Sequence, residues 1–242
     1  MAISGNRIAR ACLAVGAPVL IAAGLAGPAA AATASHVSVP HFNHARHSDQ
    51  IWGGYADTGE SYTSVKGSWT VPTLKCTSTD SYVSPWIGID GWNTDTVEQI
   101  GFDQDCVGGV AGYYPWVEMY PADSIYFTET VKAGDKISAS VSVSGTAWTL
   151  TEKDTTQGWS KTYHETGSDQ LGSAEAIVED LGSNIPNVAN FGSITFTGLT
   201  ANGVSLASAG TVNSTDIERG STQLTKNSTL SGGTFKLSWL HS

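Results

Sequence analysis

Charged side chains are scarce in this 242-residue chain, and the motifs that identify most hydrolases are missing. Only 14% of the residues are Asp, Glu, Lys or Arg. The sequence has no G-x-S-x-G nucleophile elbow, no pair of D-T-G motifs and no H-E-x-x-H metal motif. It has three cysteines but no C-x-x-C pair, which argues against a zinc site. Hydrolytic chemistry would therefore have to use carboxylates, amides and water, and we expect neither a metal nor another cofactor.

Long apolar runs are absent after the N-terminus. Arg7 and Arg10 precede an apolar run over residues 11–25, which leads into small residues ending at Ala32. A basic start, a short apolar centre and an Ala-x-Ala end are typical of a secretory signal peptide. The run is too short for the ~20 apolar residues of a membrane span. We therefore predict a signal peptide at 1–32 and a secreted protein with no membrane segment after cleavage.

Basic residues become still fewer when that peptide is removed. Two arginines and no acids leave with it, so 10 basic and 22 acidic residues remain, with a net charge of −12. Such a surface argues against nucleic acid or anionic lipid as a partner. At pH 3 to 4 most carboxylates approach their ordinary pKa and the net charge falls toward zero. The composition therefore suits acidic surroundings.

Residues 33–50 form a polar segment that contains four of the six histidines. These are His36, His41, His44 and His47. They could bind a metal, or the segment could be a solvated leader or short pro-segment. We favour the leader, because no cluster of aspartate and histidine elsewhere would complete a coordination shell. The remaining residues, 51–242, are expected to form the functional domain.

The pattern of residues 51–242 indicates strands and turns, with almost no helical periodicity. Ile137, Ala139, Val141 and Val143 alternate with serines, as in a strand with one buried face. Further candidate strands are 64–71, 86–89, 97–102, 148–151, 194–196, 204–207 and 235–239. Many short strands separated by turns predict an all-β antiparallel sandwich or barrel.

Two cysteines remain in the mature chain, because Cys12 lies in the signal peptide. In an exported protein Cys76 and Cys106 most simply form one disulfide. Two Asn-Ser-Thr sequences, at Asn213 and Asn227, also fit the glycosylation pattern.

The stretch between these cysteines, Ser84–Asp103, predicts a β-hairpin with a longer loop. In a strand, alternate side chains share a face. Ile87, Ile89, Ile100 and Phe102 then form a core face. The opposite face carries Trp86, Asp90, Gln99 and Asp103, with glycines that leave room beside them. This second face is a candidate site.

A second informative stretch is Trp116–Pro121. Strand alternation places Trp116, Glu118 and Tyr120 on one face. An acid between two aromatics fits a groove for an extended peptide or glycan, and equally a solvated strand with aromatic pairs.

The third stretch, Ala174–Asp180, contains Glu175 and Glu179. A short helical turn and a strand suit this segment equally well, and such glutamates are more often solvated than catalytic.

Taken together, five motifs make the chain resemble the glutamic peptidase (eqolisin) family, as a secreted, bacterial-type member. In order they are WIGIDG (86–91), EQIGFD (98–103), WVEMYP (116–121), AEAIVED (174–180) and NFGSITFTG (190–198). The resemblance implies a lectin-like sandwich of two seven-stranded antiparallel sheets with a substrate groove on its concave face. It also implies protein hydrolysis at acidic pH.

The resemblance also assigns the site residues. Gln99 and Glu179 match the family's catalytic pair. The positions that match its substrate groove are Trp86, Asp90, Asp103, Trp116, Glu118 and Tyr120. Ile100 and Ala176 replace the family's usual threonine and tryptophan, and the turn from Asp90 to Gln99 is one residue shorter. Both replacements have the strand parity opposite to the catalytic residue beside them, so we expect them to alter packing more than chemistry.

Three functions follow from these residues. The first is an acid endopeptidase, acting as a monomer on proteins and peptides, with Glu179 as base and then acid and Gln99 as oxyanion donor. The second is a glycosidase with Glu118 and Glu179 as its carboxylate pair. The third is a non-catalytic module that binds a peptide or polysaccharide. A binding groove has no need of both Gln99 and Glu179, which favours the first function.

Overall fold

A computed structural model describes residues 51–181 and 187–242. The predicted signal peptide (1–32) and leader (33–50) lie outside the described residues, and so do the four histidines of the leader. In the part of the chain that is described, no helix is long and apolar enough to cross a membrane.

The described chain consists almost entirely of strands, with one turn of 3-10 helix at Leu206–Ser208. In chain order the strands are β1 Trp52–Thr58, β2 Ser64–Thr70, β3 Ser81–Ile89, β4 Val97–Val107, β5 Val110–Tyr120, β6 Ile125–Tyr126, β7 Lys136–Ser144, β8 Ala147–Asp154, β9 Trp159–Thr166, β10 Ser173–Glu179, β11 Ser193–Ala201, β12 Val204–Ser205, β13 Thr211–Thr215, β14 Glu218–Arg219, β15 Thr222–Gln223, β16 Thr225–Asn227 and β17 Phe235–Trp239. The candidate strand at 204–207 is wrong beyond Ser205, where the 3-10 turn begins.

Two antiparallel sheets pack face to face as a sandwich, which confirms the predicted fold class. The first sheet has the strand order β13-β1-β10-β3-β4-β5-β6. The second has the order β16-β17-β11-β2-β7-β8-β9, and the two-residue β12 pairs with β11 as an eighth strand. Strands β14 and β15 form a separate ribbon. We call the first sheet the site sheet, because its central strands carry all the predicted site residues.

The main core lies between the two sheets, where period-two alternation places the apolar side chains. Ile137, Ala139 and Val141 of β7 are buried in it, while the serines between them are partly exposed. Ile100 and Ala176, the two departures from the family pattern, are fully buried in this core. Their side chains therefore point between the two sheets and away from the outer face of the site sheet, as their parity predicts.

A disulfide joins Cys76 to Cys106, with a Cα–Cα distance of 5.3 Å. Cys106 lies near the end of β4, and Cys76 precedes β3 by five residues. The predicted bridge is thus confirmed, and it links the two ends of the segment that contains the β3–β4 hairpin.

Candidate active site

The predicted site residues lie on the outer face of the site sheet, where strand register sets their order. Gln99 on β4 is opposite Gly88 on β3 and Glu118 on β5. Glu179 on β10 is opposite Ser84 on β3, four residues from Gly88 along that strand. Gln99 and Glu179 thus share a face, two strands apart. Strand β10, which the sequence left open as helix or strand, is the element that makes this possible.

The outer face is closed to solvent around its aromatic side chains. Trp86 and Trp116 are both 0% exposed. With Trp52, Trp92 and Ile177 they belong to a second apolar cluster, separate from the core between the sheets. Trp52 and Trp86 meet edge to face at 5.0 Å between ring centres. The polar site groups therefore lie among indoles, where hydrogen bonds are stronger than in water.

The indole of Trp86 lies between the two predicted catalytic residues. Its Nε1 donates to Glu179 Oε2 at 2.8 Å. At the other end of the ring, Cζ3 lies 3.0 Å from the point where a Cβ on Gly88 would stand, and Gln99 Cβ lies 3.2 Å from that point. A side chain at position 88 would crowd both neighbours, so glycine keeps Trp86 and Gln99 close together.

Glu118 holds the amide of Gln99. Gln99 Nε2 donates to Glu118 Oε2 at 2.6 Å, and Ser124 Oγ donates to Glu118 Oε1 at 2.8 Å. Gln99 Oε1 is buried and has no hydrogen-bond partner among the described residues. This contact places Nε2, not Oε1, toward Glu118.

Asp103 is bound by two aromatic donors. Trp116 Nε1 donates to Oδ1 at 2.8 Å, and the Tyr126 hydroxyl donates to Oδ2 at 2.7 Å. Trp116 Nε1 also lies 3.1 Å from Ser84 Oγ, on the strand that pairs with Glu179. Burial and the Asp103 charge raise the pKa of Tyr126 above its ordinary value, so its proton stays on the hydroxyl. These bonds hold Trp116 in place beside the site.

Asp90 lies at the end of β3, where its backbone adopts a positive φ of 69°. Its carboxylate accepts from the backbone N–H of Leu171 at 2.8 Å and of Gly172 at 2.6 Å. Asp90 therefore joins the β3–β4 loop to the segment that enters β10. This role does not require contact with substrate, which stays a prediction for all six groove residues.

Two acids near Asp90 were not expected to be buried. Glu98 is 1% exposed, and burial, with the charges of Asp90 and Asp169, raises its pKa to about 9. Glu175 is fully buried, and burial raises its pKa well above the ordinary value, with Asp90 and Glu98 adding to the shift. Burial also raises the pKa of Asp90 itself. With a pKa of about 9, Glu98 is protonated at acidic pH and needs no counter-charge.

The glycosidase pair is not supported by this geometry. Glu118 and Glu179 are three strands and four residues apart, on the order of 20 Å between Cα atoms. With each side chain reaching about 5 Å toward the other, roughly 10 Å would separate the two carboxyl groups, beyond the about 9.5 Å upper limit for paired catalytic carboxyls. Glu118 bonds to Gln99 and Ser124, whereas Glu179 bonds to Trp86.

Tyr120 is half-buried at the end of β5, beside the aromatic cluster.

Several residues around this site were missed by sequence reasoning, among them Tyr126 and Trp52. Ser84 shares the parity of Trp86, and that parity is a signal that could have placed it on the site face. Glu98 shares the parity of Ile100, which pointed to a buried side. Ser124 lies in a loop, and no periodic signal reaches it.

Both glycosylation sequons are engaged in the fold. Asn213 Nδ2 donates to Thr58 Oγ1 at 2.9 Å and to Thr211 O at 2.8 Å. Asn227 Nδ2 donates to Thr215 O at 2.6 Å and to Gly54 O at 3.2 Å. An attached glycan would break these bonds.

Two surface grooves of about 570 and 330 Å³ lie on the second sheet, away from these residues. They are lined mainly by serine, threonine and lysine and contain none of the predicted site residues. Among the described residues, no group of His, Cys, Asp and Glu is arranged to hold a metal ion.

Comparison with known proteins shows which family this chain resembles in sequence and fold. The sequence profile of the Peptidase A4 family matches residues 50–239. Aspergillopepsin-2 from Aspergillus niger is 31% identical over 206 residues, which cover 73% of each protein. Scytalido-glutamic peptidase, solved with a peptide-based transition state analog, superposes with a TM-score of 0.67 at 28% identity, covering 79% of this chain and 99% of that one. SCP-B of the eqolisin family, solved with the tripeptide Ala-Ile-His, has a TM-score of 0.65 at 26% identity, with coverage of 79% and 99%.

Proposed function

This chain belongs to the Peptidase A4 family and is a glutamic peptidase, and from that premise we propose that it is an exported acid endopeptidase with Gln99 and Glu179 as its catalytic pair. The observation that carries the proposal is the arrangement around Trp86. The Glu179 carboxylate on β10 accepts a hydrogen bond from the Trp86 indole, and Gln99 on β4 lies beside the far end of the same ring, with its amide bonded to Glu118.

The separation of the pair leaves room for water between them. Two strands and four residues correspond to about 16 Å between Cα atoms. In the structure the Gln99 amide bonds to Glu118 on β5. If each side chain extended about 5 Å toward the other when substrate binds, a gap of roughly 6 Å would remain. Two hydrogen bonds through a single water molecule span such a gap. This estimate supports direct attack by water rather than by a side chain.

In the proposed reaction, Glu179 accepts a proton from this water as its oxygen attacks the peptide carbonyl. Gln99 Nε2 has two hydrogens. One is donated in the hydrogen bond to Glu118, and the other is available to donate to the developing oxyanion. Glu179 then returns its proton to the leaving nitrogen. An amide does not titrate, so Gln99 can act at acidic pH without the coupled titration of a carboxylate pair.

Peptides are the expected substrates, because two structural relatives were solved with a peptide or peptide-based ligand on the same fold. The buried acids behind the site support operation at acidic pH, since protonation removes their charge. Export rests on the sequence of residues 1–32. The N-terminal sequence of protein recovered from culture medium tests it: a start near residue 33 supports cleavage, and Met1 contradicts it.

Digestion of a denatured protein substrate by the purified enzyme between pH 2 and 7 tests the activity. We expect hydrolysis at acidic pH that declines toward neutrality. Glu179→Gln should abolish hydrolysis, and Gln99→Ala should reduce it about 10²–10³-fold, the usual effect of losing an oxyanion donor. Glu165→Gln, an exposed matched control, should leave it unchanged. Full activity of Glu179→Gln would exclude the assignment.

A further inference from the structure

Ser124 is a loop residue whose hydroxyl reaches the carboxylate that holds Gln99. It precedes β6, and the loop residues before it, 121–123, are exposed. The Ser124 hydroxyl donates to Glu118 Oε1 at 2.8 Å, while Gln99 Nε2 donates to Glu118 Oε2 at 2.6 Å. Each oxygen of one carboxylate therefore receives one of these two bonds, and Ser124 touches neither Gln99 nor Glu179 in doing so.

The orientation of Gln99 decides whether it can serve as an oxyanion donor. The terminal torsion of glutamine is broad and roughly two-fold, so its amide can present either oxygen or nitrogen to a given partner. In the structure the nitrogen, not the oxygen, faces Glu118 Oε2 and donates to it. The same torsional freedom applies to Glu118, whose carboxylate could rotate and move Oε2 away from Gln99.

Resting on the proposed catalytic pair, we propose that Ser124 is a positioning residue that fixes the Glu118 carboxylate and, through it, the donor direction of Gln99. The Ser124 hydroxyl bonds to the Glu118 carboxylate, and the Glu118 carboxylate bonds to the Gln99 amide. Its effect is on the transition state, because Gln99 is needed most when charge develops on the carbonyl oxygen. Ser124 should therefore influence kcat rather than the binding of substrate.

Steady-state hydrolysis of a fluorogenic peptide at acidic pH tests the proposal. For Ser124→Ala we expect kcat to fall about three- to tenfold, with KM unchanged within twofold. Ser124→Thr retains a hydroxyl and should recover most of kcat. The matched control is Ser142→Ala, which removes a partly buried serine hydroxyl that bonds to Thr149 O on the second sheet. It should leave both constants unchanged.

A double variant shows whether Ser124 acts through Glu118. With Glu118→Ala as background, adding Ser124→Ala should cause no further loss of kcat, since the carboxylate it holds is gone. An equal loss in both backgrounds overturns the proposal, as does a Ser124→Ala enzyme with normal kcat or one impaired only in KM. If Glu179→Gln is inactive while Ser124→Ala is normal, this inference alone fails. If Glu179→Gln is fully active, the catalytic pair fails first.

Discussion

Glu98 gives a quantitative prediction about pH and stability. Its pKa is about 9 in the folded protein, against 4.5 for an ordinary glutamate, because it is buried beside Asp90 and Asp169. Between these two values the folded state holds a proton that the unfolded chain has lost. By linkage, the free energy of unfolding then falls as pH rises. The contribution is complete below about pH 4.5 and is lost by about pH 9.

The magnitude follows from the size of the shift. Each pH unit between the two pKa values costs about 1.4 kcal/mol, so raising the pH from 4.5 to 7 removes about 3 kcal/mol. With the side chain 1% exposed, little of this is screened by solvent. Such a loss is a large fraction of the 5–15 kcal/mol that stabilises a typical domain. Glu175, also fully buried with a raised pKa, adds to the effect in the same direction.

Replacing Glu98 by glutamine isolates this effect. A glutamine stays neutral at every pH and can donate to Asp90 as the protonated acid does. We expect Glu98→Gln to retain about 3 kcal/mol more of its stability than the parent between pH 4.5 and 7. Urea unfolding at pH 4.5, 5.5 and 7, followed by tryptophan fluorescence, measures it. The Glu179→Gln background prevents autolysis.

The control for this experiment is Glu165→Gln, the same substitution at a glutamate whose pKa is not raised. Glu165 is exposed, and the bonds from the Thr166 backbone and the Tyr163 hydroxyl lower its pKa. Its replacement should leave the loss of stability with rising pH as steep as in the parent. Two results would refute the reasoning: a parent protein as stable at pH 7 as at pH 4.5, or a Glu98→Gln variant that loses stability as steeply as the parent.

Three further predictions follow from contacts at the site sheet. Replacing Cys76 and Cys106 by serine should lower the free energy of unfolding by about 3–4 kcal/mol, as expected for a cross-link between positions 30 residues apart, and an unchanged urea midpoint would contradict this. Trp86→Phe removes the donor to Glu179 and should reduce kcat/KM about 10- to 100-fold with the fold retained by circular dichroism; normal kcat/KM would show that the bond is dispensable. Gly88→Ala crowds the indole, so kcat should fall more than KM rises in peptide assays, and a change in KM alone would contradict it.

Much of the structure could be predicted from strand parity, because apolar residues that alternate with polar ones indicate which face of a strand is buried. Ile100 and Ala176 were expected to face away from the catalytic residues, and both are buried in the core between the sheets. The sandwich and the disulfide followed from similarly local signals. Local signals could not predict whether β10 is a helix or a strand, since its residues suit both. The pairing of β10 with β1 and β3 makes it a strand.

The environment of the site was less predictable, because it depends on packing between distant segments. The indoles of Trp86 and Trp116 pack with Trp52 and Trp92 in one buried cluster, and strand parity did not indicate this packing. Glu98 was likewise not identified as buried, since an acid in sequence usually indicates exposure. Ser124 reaches Glu118 from a loop, and no spacing rule connects the two.

The central claim is that Gln99 and Glu179 act together on one water molecule. Measuring kcat/KM for Glu179→Gln, for Gln99→Ala and for the double variant tests it most directly, on one peptide at acidic pH. Groups that act as a unit give strongly non-additive losses. We expect the double variant to be no slower than Glu179→Gln alone. Losses that multiply, or full activity in either single variant, would contradict it.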